Sequence, residues 1–251
     1  MVNSIKKWGV LFSSLVIGAS SGMISPPSQA YVIYDLGAFV HSPSLGSLSL
    51  SYLDGVQNDF PGTGVDLSFI SNLDADNLGQ VSWQFSNNTG STLQDVSLFG
   101  YLDGEIDPDI NSSFNEYGQY ISVDGAGAGD ENPDSWEIDE PGFVFGDIYD
   151  NLFNGALDNS NAVGIGSEDD VSLALGFELG DILDGETWEL ILNISEADIG
   201  GLFHGDADSG KGIYLTGAAH INRVISVDEP VPLVLFLIGI FGVFLVRRHS
   251  L

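Results

Sequence analysis

Cysteine is absent from the 251 residues, which excludes disulfides, thiolate metal ligands and a cysteine nucleophile. Basic residues are scarce: six Lys and Arg stand against 36 Asp and Glu, for a formal charge of -30. Lys6 and Lys7 lie near one end and Arg247 and Arg248 near the other. Between Asp35 and Glu229, only Lys211 and Arg223 oppose all 36 acids, a net of -34. A surface of this sign repels phosphate backbones, so nucleic acid is excluded as a partner, while cations are attracted. The four histidines, His41, His204, His220 and His249, include no two at the spacing of a local metal pair. The acidic body holds no Gly-x-Ser-x-Gly elbow, complete phosphate-binding loop or dinucleotide fingerprint. A Ser-His-Asp site or a carboxylate pair assembled from distant residues remains open.

What is present is easiest to read at the two ends. Residues 1–30 run MVNSIKKWGVLFSSLVIGASSGMISPPSQA. A charged start, a short apolar stretch from Trp8 to Ala19 and a small-residue end fit a secretory signal peptide cut after Ala30. The alternative is an N-terminal membrane anchor, for which the apolar stretch is short. Residues 228–251 run DEPVPLVLFLIGIFGVFLVRRHSL, with an uncharged apolar helix expected over 231–246. Positive charge behind that span would keep it on the cytoplasmic side, with the acidic body outside. A plain transmembrane anchor accounts for the same residues.

The order of acidic-Pro motif, apolar span with Gly239 and Gly242, and Arg247–Arg248 pair resembles the PEP-CTERM sorting signal of Gram-negative bacteria. The resemblance implies recognition by an exosortase, a membrane-embedded transpeptidase that cuts near the Pro-Glu-Pro motif. Glu229 and Pro230 match the second half of that motif. Asp228 stands where the first proline would be, and Pro232 is extra. The resemblance is confined to this tail, and it implies an exported protein of the cell surface or extracellular matrix, associated with exopolysaccharide or biofilm.

Residues 31–227 read as one all-β ectodomain. Val81–Phe85 and Trp188–Ile194 alternate apolar with polar, the mark of strands with one buried face. Further strands are expected at 48–53, 65–70, 96–102, 120–123, 171–177 and 213–221. Asp-Gly pairs at 54–55, 103–104, 124–125 and 184–185 supply turn chemistry. The pattern predicts a single antiparallel β-sandwich, immunoglobulin-like or jelly-roll-like. Two short strings, Asn88–Val96 and Val171–Phe177 with Leu183–Glu186, resemble hairpin and strand-turn segments of bacterial surface β-sandwich domains. The stretch 103–141 reads as loop, and 147–157 places Ile148, Leu152 and Phe153 at helical spacing, predicting a short helix over one end of the sandwich.

Candidate sites are few. Asp107-Pro-Asp109-Ile-Asn111 and Asp206-Ala-Asp208 space oxygen ligands two apart, as a loop around calcium requires. Neither continues as an EF-hand, because the Gly at position six and the Glu at position twelve are missing; in Asp107 to Gly118 those places hold Ser112 and Gly118. Among the tryptophans, Trp83 and Trp188 fall on apolar strand phases and read as core. Trp136, in the acidic loop, is the candidate for stacking on a sugar ring. No catalytic residue is assigned. The leading expectation is a non-enzymatic exported protein, and the alternative is a secreted hydrolase with a site built from scattered carboxylates.

Overall fold

Period-two alternation becomes strands in the computed structural model, which describes residues 31–51, 59–60, 62–108, 110, 113–122, 133–142 and 145–222. The signal peptide, the sorting tail, Asp109, Asn111 and the Asp-Gly pairs at 54–55 and 124–125 lie outside the described residues. One sheet holds β1 (Tyr31–Ser42), β2 (Gly46–Ser51), β6 (Leu93–Ile106), β8 (Ser135–Asp139), β9 (Ser160–Asn161) and β10 (Ser172–Ile182), in the order β2-β1-β6-β10-β8-β9. The other holds β3 (Asp59–Phe60), β4 (Val65–Leu73), β5 (Gly79–Asn87), β7 (Glu116–Ser122), β11 (Thr187–Ser195), β12 (Gly201–Asp206) and β13 (Gly212–Asn222), in the order β3-β4-β5-β11-β13-β12-β7. Neighbouring strands pair antiparallel, except β8 with β9, which run parallel.

The inward phases of the two sheets meet in one core. Leu98 and Leu102 of β6 and Leu173, Leu175 and Phe177 of β10 face Val81, Trp83 and Phe85 of β5 and Trp188, Leu190 and Leu192 of β11. Phe85 and Trp188 stack with ring centroids 5.5 Å apart. Gly100 lets β6 approach its neighbours, because a Cβ there would lie 2.6 Å from Leu192. Trp83 and Trp188 are both buried, as their strand phases predict.

A second, smaller cluster lies on the outer face of the six-stranded sheet. Phe39, Phe99, Tyr101 and Ala174 are covered there by Ile148 and Leu152 of α1 (Ile148–Asn154). Gly155 ends this helix in the left-handed region at φ 73°, its N–H returning to the last turn, a conformation that glycine adopts at little cost. The predicted helix is therefore present but sits on a sheet face instead of an end.

Three other expectations are corrected. Asp103-Gly104 is no turn; it lies inside β6, opposite β1. Gly104 is required there because the Tyr31 ring rests against it, and a Cβ would lie 2.5 Å from the Tyr31 hydroxyl. The stretch 103–141 is not all loop, since it contains the end of β6 together with β7 and β8. Trp136 accordingly belongs to a strand, β8. Strands β1 and β12 were not expected at all. Both are buried on both faces along much of their length, which removes the alternation by which strands are recognised.

Truncating a fully buried core residue removes its transfer free energy and leaves a cavity. Leu190→Ala is expected to cost about 2–5 kcal/mol in urea denaturation. Ile70→Ala, at a position 56% exposed, is expected to change stability by about 0.5 kcal/mol or less.

Candidate functional site

Strand alternation places Tyr101, Asp103 and Glu105 on one phase of β6, the phase that faces α1. Register then builds a row across four strands: Asp35 of β1 lies opposite Asp103, Asp103 opposite Ser172 of β10, and Ser172 opposite Asp139 of β8. Asp103 and Asp139 are each 7% exposed and Glu105 is 2% exposed. Like charges directly opposite on adjacent strands are destabilising, and burial removes the water that would screen them. Burial, followed by the nearby carboxylates of Asp170, Asp35, Glu116 and Glu105, pushes the Asp103 carboxyl up to about 8. Asp170, just before β10, is pushed up to about 6 by burial and by Glu116, with His204 acting in the opposite direction.

Around this row the polar atoms are unevenly satisfied. Tyr149 donates its hydroxyl proton to Asp35 Oδ2 at 3.2 Å, and Asp139 Oδ2 accepts the Asp147 N–H at 2.7 Å. By contrast, Asp103 Oδ1 and Asp170 Oδ1 are shielded from solvent and accept no hydrogen bond.

A second polar group occupies the interior at the same end of the sandwich. Glu116 of β7 is fully buried; its Oε1 accepts the Ile106 N–H at 2.9 Å, and its Oε2 stands 2.7 Å from His204 Nε2. The Tyr31 ring meets His204 edge-on at 6.1 Å. Burial first, and then Glu116, Asp103 and Glu105, hold the Tyr31 hydroxyl well above its ordinary pKa.

The two calcium segments predicted from spacing come together through Lys211. Its ammonium lies 2.6–2.7 Å from the oxygens of buried Asp107, while its carbonyl accepts the Asp206 N–H. Asp206 Oδ1 accepts the N–H groups of Asp208 and Ser209, both at 2.7 Å, so that carboxylate organises its own turn. Asp208 Oδ2 accepts from Asn115 Nδ2 at 3.0 Å.

Among the described residues, one trio of carboxylates brings ligand oxygens within 4.8 Å of one another: Glu137, Asp147 and Asp158. Glu137 is buried and pushed up to about 7 by burial. Its oxygens are occupied, because Asn151 Nδ2 donates to both, at 2.9 and 3.2 Å, and the Asp158 N–H donates at 3.1 Å. This arrangement ties α1 to β8.

The glycan candidate Trp136 packs partly against the core and stacks on Tyr120 with ring centroids 4.6 Å apart. Tyr120 is 42% exposed, so the pair seals the edge where β7 and β8 meet. The remaining histidines are separate from one another. His41 accepts or donates at Ser47 Oγ across 2.9 Å, and His220 lies 3.3 Å from Glu189.

Spacing did not single out Asp103, Glu116, Asp170, His204 or Glu137. A signal existed only for Asp103 and Glu105, which share the phase of Tyr101 in Tyr-Leu-Asp-Gly-Glu-Ile. Comparison with protein-family models, curated proteins and solved structures returns no match.

Asp103, Asp170 and Glu137 all have folded-state pKa values above their ordinary ones. Each therefore binds its proton more tightly in the folded state. The resulting stability is complete below the ordinary carboxylate range and is lost as pH rises through about 6 to 8. In the presence of a chelator, Tm is expected to fall between pH 5 and pH 8.5. Asp103→Asn should flatten the profile by raising Tm at the alkaline end, and a wild-type Tm that climbs across the interval contradicts the assignment.

Proposed function

We propose that the chain is an exported, non-enzymatic protein of the cell surface or extracellular matrix. In this reading, its acidic sandwich is delivered by the N-terminal signal and processed at its C-terminal tail by an exosortase-like membrane transpeptidase. The observation that carries the proposal is the tail itself: Asp228–Glu229–Pro230, the apolar stretch 231–246 and Arg247–Arg248. Apolar content and flanking arginines suit a provisional stop in the membrane, and the acidic-Pro motif supplies the feature that a plain anchor does not need.

The two-sheet arrangement fits both the jelly-roll-like and the immunoglobulin-like reading of the sandwich. Matrix exopolysaccharide is the partner class that fits the reading, with the Trp136–Tyr120 stack as an aromatic surface at the sheet edge. The charge of the body restricts such a polymer to neutral or cationic kinds. Glu116 and His204 have the residue types of an acid-base pair, and both are buried, at 0% and 1% exposure.

Intact mass spectrometry of the protein isolated from its native envelope tests the proposal. The expected mass lacks residues 1–30 and the residues that follow the Glu229–Pro230 region. A mature protein still carrying residues 231–251 overturns the sorting step and leaves a plain membrane anchor.

A further inference from the structure

We infer that the outer face of the seven-stranded sheet binds a neutral polysaccharide, its sugar rings stacking on a strip formed by Tyr117 of β7, Phe203 of β12 and Tyr214 of β13. The polymer class rests on the exported, matrix-facing reading given above; the place on the fold rests on the sheet alone. Charge gives the first reason. The outer face of an antiparallel sheet normally carries charged residues that keep a protein soluble. Five adjacent strands, β5, β11, β13, β12 and β7, turn Trp83, Leu190, Leu215, His204 and Glu116 inward, and alternation fixes the outward phase from them. Among the described residues on that phase, Glu189 is the only Asp or Glu, and His220 Nε2 stands 3.3 Å from it. A chain with 36 acids thus leaves one broad face almost without charge. Such a face gives a charged polymer nothing to pair with, and a second copy of this chain would bring its own excess of acid against it.

The second reason is the posture of the rings. Phe203 lies directly opposite Tyr214, and Gly205 lies opposite Gly212 on one side and Tyr117 on the other. A Cβ at Gly205 would lie 2.5 Å from the Phe203 ring and 2.7 Å from the Tyr117 ring, and one at Gly212 would strike Phe203 as well. The rings therefore recline over bare backbone, and all three remain half-buried. A ring lying on the backbone turns its other face to solvent. Phe203 alone covers both glycines, which is all that the sheet requires. Tyr117 and Tyr214 prolong the strip to either side, with centroids 5.9 and 4.9 Å from that of Phe203, steps close to the length of a sugar ring. Successive rings are tilted by 55° and 51°, which suits a polymer chain that twists and not a flat crystalline surface.

The third reason is the polar complement. A sugar ring is apolar on its faces and rimmed by hydroxyls, so it calls for aromatic faces beneath it and neutral groups that both donate and accept beside it. Gln119 lies opposite Phe203. Gln80 and Asn193 are cross-strand partners on β5 and β11, and Gln80 Nε2 donates to Asn193 Oδ1 at 3.0 Å. Asn193 lies opposite Thr216 of β13, two residues from Tyr214. Amides and hydroxyls thus continue the aromatic strip across the sheet. A protein interface gathers its aromatic anchors in one desolvated centre, whereas these rings and amides follow one another from strand to strand, as a linear polymer requires. The Trp136–Tyr120 pair at the sheet edge has less to offer, because its rings stack 25° from parallel and each covers a face of the other.

Affinity electrophoresis of the purified full-length protein in native gels is the test. Hydroxyethylcellulose and galactomannan, both soluble and neutral, are the probes, and alginate is the anionic control. At least one neutral polymer is expected to retard the wild type, and alginate is expected not to. Phe203→Leu keeps an apolar cover over the glycines and removes the ring; it should weaken binding by about 10-fold or more, the scale of losing an aromatic anchor. Leu183→Ala, at an exposed position between β10 and β11, should leave it unchanged. Should Phe203→Leu fail to fold, as judged by near-ultraviolet circular dichroism, Tyr214→Leu reads the same strip from β13. Failure of both neutral polymers to retard the wild type overturns the proposal, as does equal retardation by alginate or equal binding by wild type and the folded variant. Binding lost in Trp136→Ala but kept in Phe203→Leu overturns it by moving the polymer to the sheet edge. A dimer in analytical ultracentrifugation that Phe203→Leu abolishes overturns it in favour of a second copy. None of these outcomes depends on the tail, so each is distinct from the mass measurement that tests the sorting step.

Discussion

Buried negative charge without matching positive charge is the constraint on which the rest of this structure depends. Taking a carboxylate out of water is expensive unless it is paired, hydrogen-bonded or protonated. Here each of those remedies is used at a different place. Lys211 pairs with Asp107, His204 stands against Glu116, backbone N–H groups hold Asp206, and Asn151 holds Glu137. Asp103 has none of them on Oδ1. Protonation is the remedy left to it, and burial with the neighbouring carboxylates pushes its carboxyl toward the neutral form.

The sheet architecture creates this situation and also contains it. Two sheets share an apolar core rich in Leu, Phe and Trp, and that core supplies the stability that the acidic end draws upon. The same strands carry both: β6 contributes Leu98 and Leu102 inward and Asp103 and Glu105 on the opposite phase. α1 closes the apolar half of that outer face, over Phe39, Phe99 and Tyr101, and Tyr149 at its beginning reaches Asp35 in the acidic half. The helix start and the row are joined by two hydrogen bonds, from the Tyr149 hydroxyl to Asp35 and from the Asp147 N–H to Asp139.

Legibility in the sequence followed burial. Strands with one wet face, such as β5 and β11, announce themselves by alternation, and the tryptophans on them fall in the core as expected. Strands β1 and β12 escape because both faces are covered. Asp103-Gly104 misleads for a different reason: the pair is good turn chemistry, yet the Tyr31 ring needs a residue without a side chain beside it, and that tertiary demand prevails over local preference. The acidic site was hidden by abundance. With 36 carboxylates, spacing selects loops such as Asp107–Asn111, while the consequential acids are joined by register between β1, β6, β10 and β8, which no local motif encodes.

The central claim is that the folded state holds protons on buried carboxylates that the unfolded chain gives up. Calorimetric unfolding near pH 7, repeated in buffers of different ionisation enthalpy, counts the protons exchanged. With a chelator present, unfolding should release protons. Net proton uptake on unfolding would contradict the account.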